Sequence, residues 1–318
     1  MGLGRFMRSV RESRNLTMEE VSKGICTKKY IYLIEKDKRI PSVSILKMLG
    51  KKMEIDFFEY LAYIDCFDPI KVRNVLSEFT KLRKMNAYDQ LEKLNNEIKM
   101  DMDFITEPWK YEVEYNTVMI YLLKYNNYRK ALTLIYSVFE KGSISKEFSE
   151  HDLKNVSGSL IQFYNLLGIY WKHMGEYQKS ISLFQKMYNF LISKRNLIEY
   201  RDIYINVTLN LMQVYFMTFE YVSINELSKE LLEFQIKNVI IDRLSVNYAI
   251  QAASYYKLGE KTKAIQMFQK SMYLCIAFEQ RMLIESILKE INSLNLVKSE
   301  VYDVNLKKES RKLLNHSS

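Results

Sequence analysis

In the stretch TKKYIYLIEKDKRIP, residues 27–41, the cations Lys28, Lys29, Lys38 and Arg39 stand among tyrosines and aliphatics and run up to a proline. Clustered ammonium and guanidinium groups suit a polyanion, and a tyrosine beside them adds a hydroxyl and a ring face. At about 100° per residue, Thr27, Tyr30, Ile31 and Ile34 share one arc of a helix, while Lys28, Lys29 and Tyr32 occupy the opposite arc. One arc packs and the other reaches outward. The outward side chains fall in the first half of the helix, the part that meets base edges when a helix enters a major groove. Lys38 and Arg39 follow at its end, where phosphates would lie.

A helix used in this way needs neighbours to hold it, and start and stop signals mark four more within the first 62 residues. Leu3 to Arg14 is the first, ended by Asn15. Thr17 opens the second, and Glu20 completes a capping box, T-M-E-E, in which each side chain satisfies a backbone N–H at the helix start. Gly24 ends that helix, Thr27 caps the third, which runs to about Glu35, and Pro41-Ser42 opens the fourth, Ser42 to Met53. A short fifth runs from Asp56 to about Ala62. The order is a helix-turn-helix with supporting helices.

Charge follows the same division. Residues 1–62 hold 13 Lys or Arg against 8 Asp or Glu, a surplus of five within a chain whose net charge is +9. The positive density a polyanion requires is concentrated in that segment. Over all 318 residues, 48% hydrophobic and 27% charged content supports packed cores, and the length calls for more than one unit. Only 9 Gly and 3 Pro leave little material for strand-and-turn architecture, so the fold class expected is all-α.

Other chemistries lack their signatures. Cys26, Cys66 and Cys275 are far apart and odd in number, which supports neither a disulfide framework nor a zinc site. His151, His173 and His316 show no metal-ligand spacing, and there is no phosphate loop or nucleophile elbow. Neither a catalytic constellation, a metal nor a cofactor is expected. No apolar run approaches the roughly 18 residues of a membrane span, and Met1-Gly2 is followed at position 6 by Phe, where a myristoylation motif has Ser or Thr. A cytoplasmic protein with no membrane contact is the expectation.

Residues 3–61 resemble the Xre/Cro-type helix-turn-helix of the lambda-repressor-like superfamily. The likeness lies in LGRFMRSVRESRNLTMEEVSKGI followed by TKKYIYLIEKDKRIPSVSILKMLGKKMEIDFFEYL, with the Ile34-Glu35 pair and the Pro41-Ser42 step. Two positions depart from the pattern: Met18 stands where a glutamine commonly opens the second helix, and Asp37 where a glycine usually follows the recognition helix. The resemblance implies double-stranded DNA as partner, with Lys28, Lys29 and Tyr32 at bases and Thr17, Thr27, Lys38 and Arg39 along the backbone.

The rest of the chain repeats itself. Short turns precede amphipathic helices in NAYDQLEKLNNEI, NNYRKALTLIYSV, GEYQKSISLFQKM, FEYVSINELSKEL and GEKTKAIQMFQKS, aligned on Tyr88, Tyr128, Tyr177, Tyr221 and Lys261. Each unit is a helix pair. The copies resemble tetratricopeptide repeats: one supplies Gly168, Gly175, Tyr177, Ser180 and Phe184, another Ala252, Gly259, Ala264 and Phe268. Asp68-Pro69 opens the first pair, and a capping helix between Phe278 and Leu294 closes the array. The architecture expected is a helix-turn-helix domain at 1–66, a right-handed α-solenoid of about five degenerate tetratricopeptide-like pairs at 67–300, and a polar tail at 301–318.

In such an array the first helices line a concave face suited to an extended peptide. The inward positions expected are Asn116 and Ile120; Gln162, Asn165, Ile169 and Lys172; Asn206, Leu209 and Gln213; and Ala249, Ala253 and Tyr256. The polar members with Tyr256 are the candidate peptide contacts, because an amide can both donate to and accept from a peptide backbone.

Over nearly its whole length the chain resembles the peptide-responsive regulators of Gram-positive bacteria, the PlcR, PrgX and Rgg group. That resemblance implies a homodimer on a two-fold symmetric operator, switched by a short signalling peptide held in the repeat groove. Two other readings stand beside it: a helix-turn-helix regulator whose repeats bind a protein partner, and a repeat-type phosphatase or response-regulator antagonist. The latter has a different N-terminal bundle where this chain has a helix-turn-helix.

Overall fold

The computed structural model describes residues 2–149 and 158–294. The expected tail 301–318, with His151 and His316, lies outside them. Among the described residues every regular element is helical, and no helix is long and apolar enough to cross a membrane. The chain divides into two compact units, residues 1–113 and 114–318.

The first unit begins with α1 (Leu3–Ser13), α2 (Met18–Ser22), α3 (Lys28–Glu35) and α4 (Val43–Lys52), followed by a 3-10 turn at Phe57–Tyr63. The expected caps are in place. Thr17 and Glu20 satisfy each other's backbone N–H, Thr27 accepts from the Tyr30 N–H, and Ser42 accepts from the Ile45 N–H. Phe6, Met7, Val10, Val21, Ile31, Ile34, Leu46, Leu49, Met53 and Phe57 form the core.

One ion pair is enclosed beside that hydrocarbon. Arg11 Nε donates to Glu35 Oε1 at 2.6 Å and Nη2 to Oε2 at 2.9 Å, with both residues buried. The third guanidinium nitrogen donates to the Leu16 carbonyl at 2.8 Å, which ties the turn before α2 to the same pair.

Asp37 explains its own departure from the glycine pattern. It adopts φ 53°, and the N–H groups of Asp37 and Lys38 donate to the carbonyls of Ile34 and Leu33, the reversal that ends α3. A non-glycine residue is strained there, but its carboxylate accepts the Gly4 N–H at 2.8 Å and so caps the positive end of α1. The approach is close: a Cβ on Gly4 would stand 1.9 Å from the Ile34 carbonyl oxygen.

Helices α5 (Pro69–Lys84) and α6 (Tyr88–Ile98), expected to belong with the repeats from residue 67 onward, share this first unit. The chain on both sides of position 66 is stitched together by side chains. Arg73 pairs with Glu59 and lies 5.2 Å from the Tyr60 ring, Trp109 Nε1 donates to Cys66 Sγ at 3.1 Å, and buried Asp103 accepts from the backbone of Phe67 and Asp68. The compact units part between Val113 and Glu114, within α7 (Lys110–Met119).

In the second unit α7 ends in a π-wound turn, Ile120–Lys124, and α8 (Tyr128–Lys141) follows. Three further pairs are α9 (Gly158–His173) with α10 (Tyr177–Ile192), α11 (Ile198–Met217) with α12 (Tyr221–Lys237), and α13 (Leu244–Lys257) with α14 (Lys261–Ala277); α15 (Arg281–Ser293) closes the row. All five second helices begin at the residues on which the repeats align. Each helix packs on the next, and first helices also meet one another, α9 on α11, α11 on α13 and α13 on α15. Small residues permit this. A Cβ on Gly168 would stand 2.4 Å from the Phe184 ring, and Ser180 Oγ donates to the Gly168 carbonyl at 2.8 Å.

Replacing Arg11 by Ala leaves the Glu35 carboxylate buried and unpaired and is expected to destabilise the first unit by about 3–5 kcal/mol. The double change Arg11→Met with Glu35→Leu should recover most of that loss. Urea denaturation of the full chain, followed by circular dichroism, checks both; equal losses for the single and double variants would contradict the role given to the pair.

Candidate functional site

The outward face of α3 is open. Lys28, Lys29 and Tyr32 are exposed, as are Lys38 and Arg39 just beyond the helix. Ile31 and Ile34 on the opposite arc are fully buried, so the helix cannot rotate to exchange its faces. Thr27 Oγ1 accepts the Tyr30 N–H at 3.2 Å, and Thr27 itself is exposed. The Thr17 hydroxyl is more committed, accepting from the Glu20 N–H and donating to the Glu20 carboxylate at 2.7 Å. Those hydrogen bonds, first from the Thr17 backbone and then from its side chain, hold the Glu20 carboxyl below its ordinary range.

Two of the cations are steered by neighbours within the unit. Lys28 Nζ lies 3.8 Å from Glu19 on α2, and the Arg39 guanidinium lies 5.0 Å from the Tyr30 ring. Lys28 therefore reaches an anionic partner only by exchange with Glu19.

On the repeats, α9 and α11 bring four polar side chains together in pairs. Asn210 Nδ2 donates to Asn165 Oδ1 at 2.9 Å, and Lys172 Nζ donates to Gln213 Oε1 at 2.8 Å. Gln162 and Asn206 are half-buried on the same two helices, and Ile169 is half-buried between Asn165 and Lys172. Leu209 is buried, and the polar side chain of its turn that meets α9 is Asn210, a position not among those expected. The signal for it was partial: Asn206, Asn210 and Gln213 follow the i, i+4, i+7 spacing of one helix face, but Leu209, three residues after Asn206 and four before Gln213, belongs to that face as well.

The remaining positions are less alike. Asn116 is fully buried on α7, and Ile120 is buried at the start of the π-wound turn, so neither presents a side chain at an open face. Tyr256 and Ala249 are half-buried against the hydrophobic cluster of α13, α14 and α15, and Ala253 lies inside it. His173, beside Lys172, stacks on Tyr128 with 5.7 Å between ring centroids. Burial and the neighbouring Lys172 hold its pKa below the ordinary value.

Residues 7–60 match the helix-turn-helix family model. No curated protein sequence matches the chain. Among solved structures, the chain is similar over 90% of its length and 98% of the other to Bacillus thuringiensis PlcR in complex with the peptide PapR7 and DNA, with TM-score 0.67 and 18% identity. It is similar over 92% of its length and 99% of the other to ComR from S. thermophilus in complex with DNA and its signalling peptide ComS, with TM-score 0.57 and 15% identity. ComR from Streptococcus vestibularis in complex with its cognate signalling peptide XIP matches with TM-score 0.51 and 17% identity over 93% of this chain and 99% of that one. The whole-chain fold, helix-turn-helix and repeats together, is shared with these proteins.

Lys172 is the most costly residue of the polar row. Burial pulls its pKa down from 10.5 to about 8. Below pH 8 the ammonium is charged in both folded and unfolded chains and its desolvation weighs on the fold in full. As pH rises from about 8 toward 10.5 the unfolded chain holds the proton longer, so stability rises. Lys172→Met is therefore expected to stabilise the second unit at pH 7 by on the order of 2–3 kcal/mol, an advantage that fades toward the upper end of that window. Denaturant midpoints for both chains across the pH range check the sign; a destabilised variant at pH 7 would contradict it.

Proposed function

We propose that the chain is a cytoplasmic transcriptional regulator that binds a two-fold symmetric operator as a homodimer and is switched by a short signalling peptide held along its repeats. The observation that carries this reading is the joining, in one chain, of an open basic face on α3 to a polar row across α9 and α11, within a fold whose relatives PlcR and ComR are seen with DNA and peptide.

The division of labour follows from the chemistry. Lys29, Tyr32 and, after exchange with Glu19, Lys28 read base edges in the major groove, where donor and acceptor patterns are distinct for each base pair. Thr27, Lys38 and Arg39 fix the register on phosphates, with Thr17 in a lesser part because its hydroxyl already serves the capping box. Gln162, Asn165, Lys172, Asn206 and Gln213, joined by Asn210, hold the peptide, with Tyr256 further along the array. A peptide that favours one arrangement of the array shifts the dimer toward it and alters operator binding, a coupling of typically about 1–3 kcal/mol.

Selection of duplex DNA from a randomised pool by the full-length protein, with and without peptides retained from a randomised peptide pool, tests the whole reading. Operator affinity or oligomeric state should change with peptide; no change in either would remove the switch. Lys29→Ala or Tyr32→Ala should lower discrimination between the selected operator and random DNA by about 1–3 kcal/mol, whereas Arg39→Ala should weaken binding to both and flatten its salt dependence. Equal losses on operator and random DNA for all three variants would overturn the assignment of base contacts.

A further inference from the structure

Several cations of the second unit have a carboxylate at hand: Lys141 pairs with Glu114, Lys179 with Glu176, Arg195 with Glu230 and Lys263 with Glu260. Lys172 does not. Its ammonium lies between α9 and α11 against the neutral amide of Gln213, and no charged group of the described residues offsets its burial. A cation kept in a desolvated place at the expense of stability, with no acid of the described residues beside it, suits an acid that arrives with a ligand.

We propose that Lys172 and Gln213 form a receptor for a carboxylate of the bound peptide, and that Asn165 with Asn210 grips one of its peptide groups. This rests on the peptide-binding reading above.

The donors and acceptors fit that ligand. Gln213 Oε1 is occupied by the ammonium, which leaves its NH2 and the remaining ammonium protons as the donors of the pair. Two adjacent donors, one charged, match the two oxygens of a carboxylate. In the second pair Asn165 Oδ1 is occupied by Asn210 Nδ2, which leaves the NH2 of the buried Asn165 as donor and the Oδ1 of the half-buried Asn210 as acceptor. That is the complement of a peptide group. Lys172 and Asn165 are seven residues apart on α9, or about 10 Å along the axis, the span of about three residues of extended chain. The carboxylate therefore belongs about three residues from the gripped peptide group, as either the chain terminus or an Asp or Glu side chain.

The test uses full-length protein and three randomised heptapeptide pools. One has a free C-terminus and no Asp or Glu, one is amidated with Asp and Glu allowed, and one is amidated and free of acids. The protein should retain one of the first two at least about tenfold over the third, and which of the two it keeps identifies the source of the carboxylate. Lys172→Met should abolish the preference while still retaining peptide, Lys172→Arg should keep it, and Asn210→Ala should lower retention of all pools alike. Retention without any preference for a carboxylate, or a preference that survives Lys172→Met, overturns the carboxylate receptor and leaves the peptide reading standing. Retention of none of the pools overturns both.

Discussion

Arg11 and Glu35 meet inside a core that is otherwise hydrocarbon, and the attitude of α3 hangs on that meeting. A guanidinium and a carboxylate joined in parallel admit one relative orientation, where greasy side chains would accept several. Because Arg11 also holds the Leu16 carbonyl, the same group fixes α1, the entry to α2 and the end of α3. Desolvating two charges gains little net stability, so the return on this arrangement is definition of geometry. The side chains offered outward by α3 inherit their direction from it. Asp37 adds a second clamp at the neighbouring point, ending α3 through its main chain and capping α1 through its carboxylate.

The N-terminal bundle was legible because its signals are local. Thr17, Thr27 and Ser42 precede their helices, and the i, i+3, i+4 pattern of Ile31 and Ile34 assigns the buried face before any tertiary contact is known. Asp37 was legible as a departure but not as a solution, since its compensation is a contact with Gly4, thirty-three residues away in sequence. The grouping of α5 and α6 with the first unit was hidden for a similar reason. Nothing in the run from Cys66 to Pro69 announces that Asp103 and Trp109 will return to bind it.

Along the repeats, the start of every second helix could be read, yet the face of the first helices could be read only in part. Periodicity locates a stripe to within one neighbour, and on α11 that margin separates Leu209, which packs, from Asn210, which pairs with Asn165. Asn116 shows the converse. Its residue type suggests a ligand contact, while its neighbours enclose it completely, and residue type carries no information about enclosure.

The turns between paired helices have the same left-handed residue in every repeat, at φ 52°, 51°, 75°, 64° and 80°, but the side chains there are Asn86, Asn126, Gly175, Phe219 and Gly259. The reversal is written in main-chain hydrogen bonds, and four of the five turns close with the same pair of them. Such a hinge imposes a conformation while leaving composition loosely constrained, even to the point of accepting a phenylalanine. A lineage built on it can lose the letters of its repeats one at a time and keep their geometry. Selection is then at liberty to rewrite the polar row of one helix pair without renegotiating the turns that hold its neighbours in step.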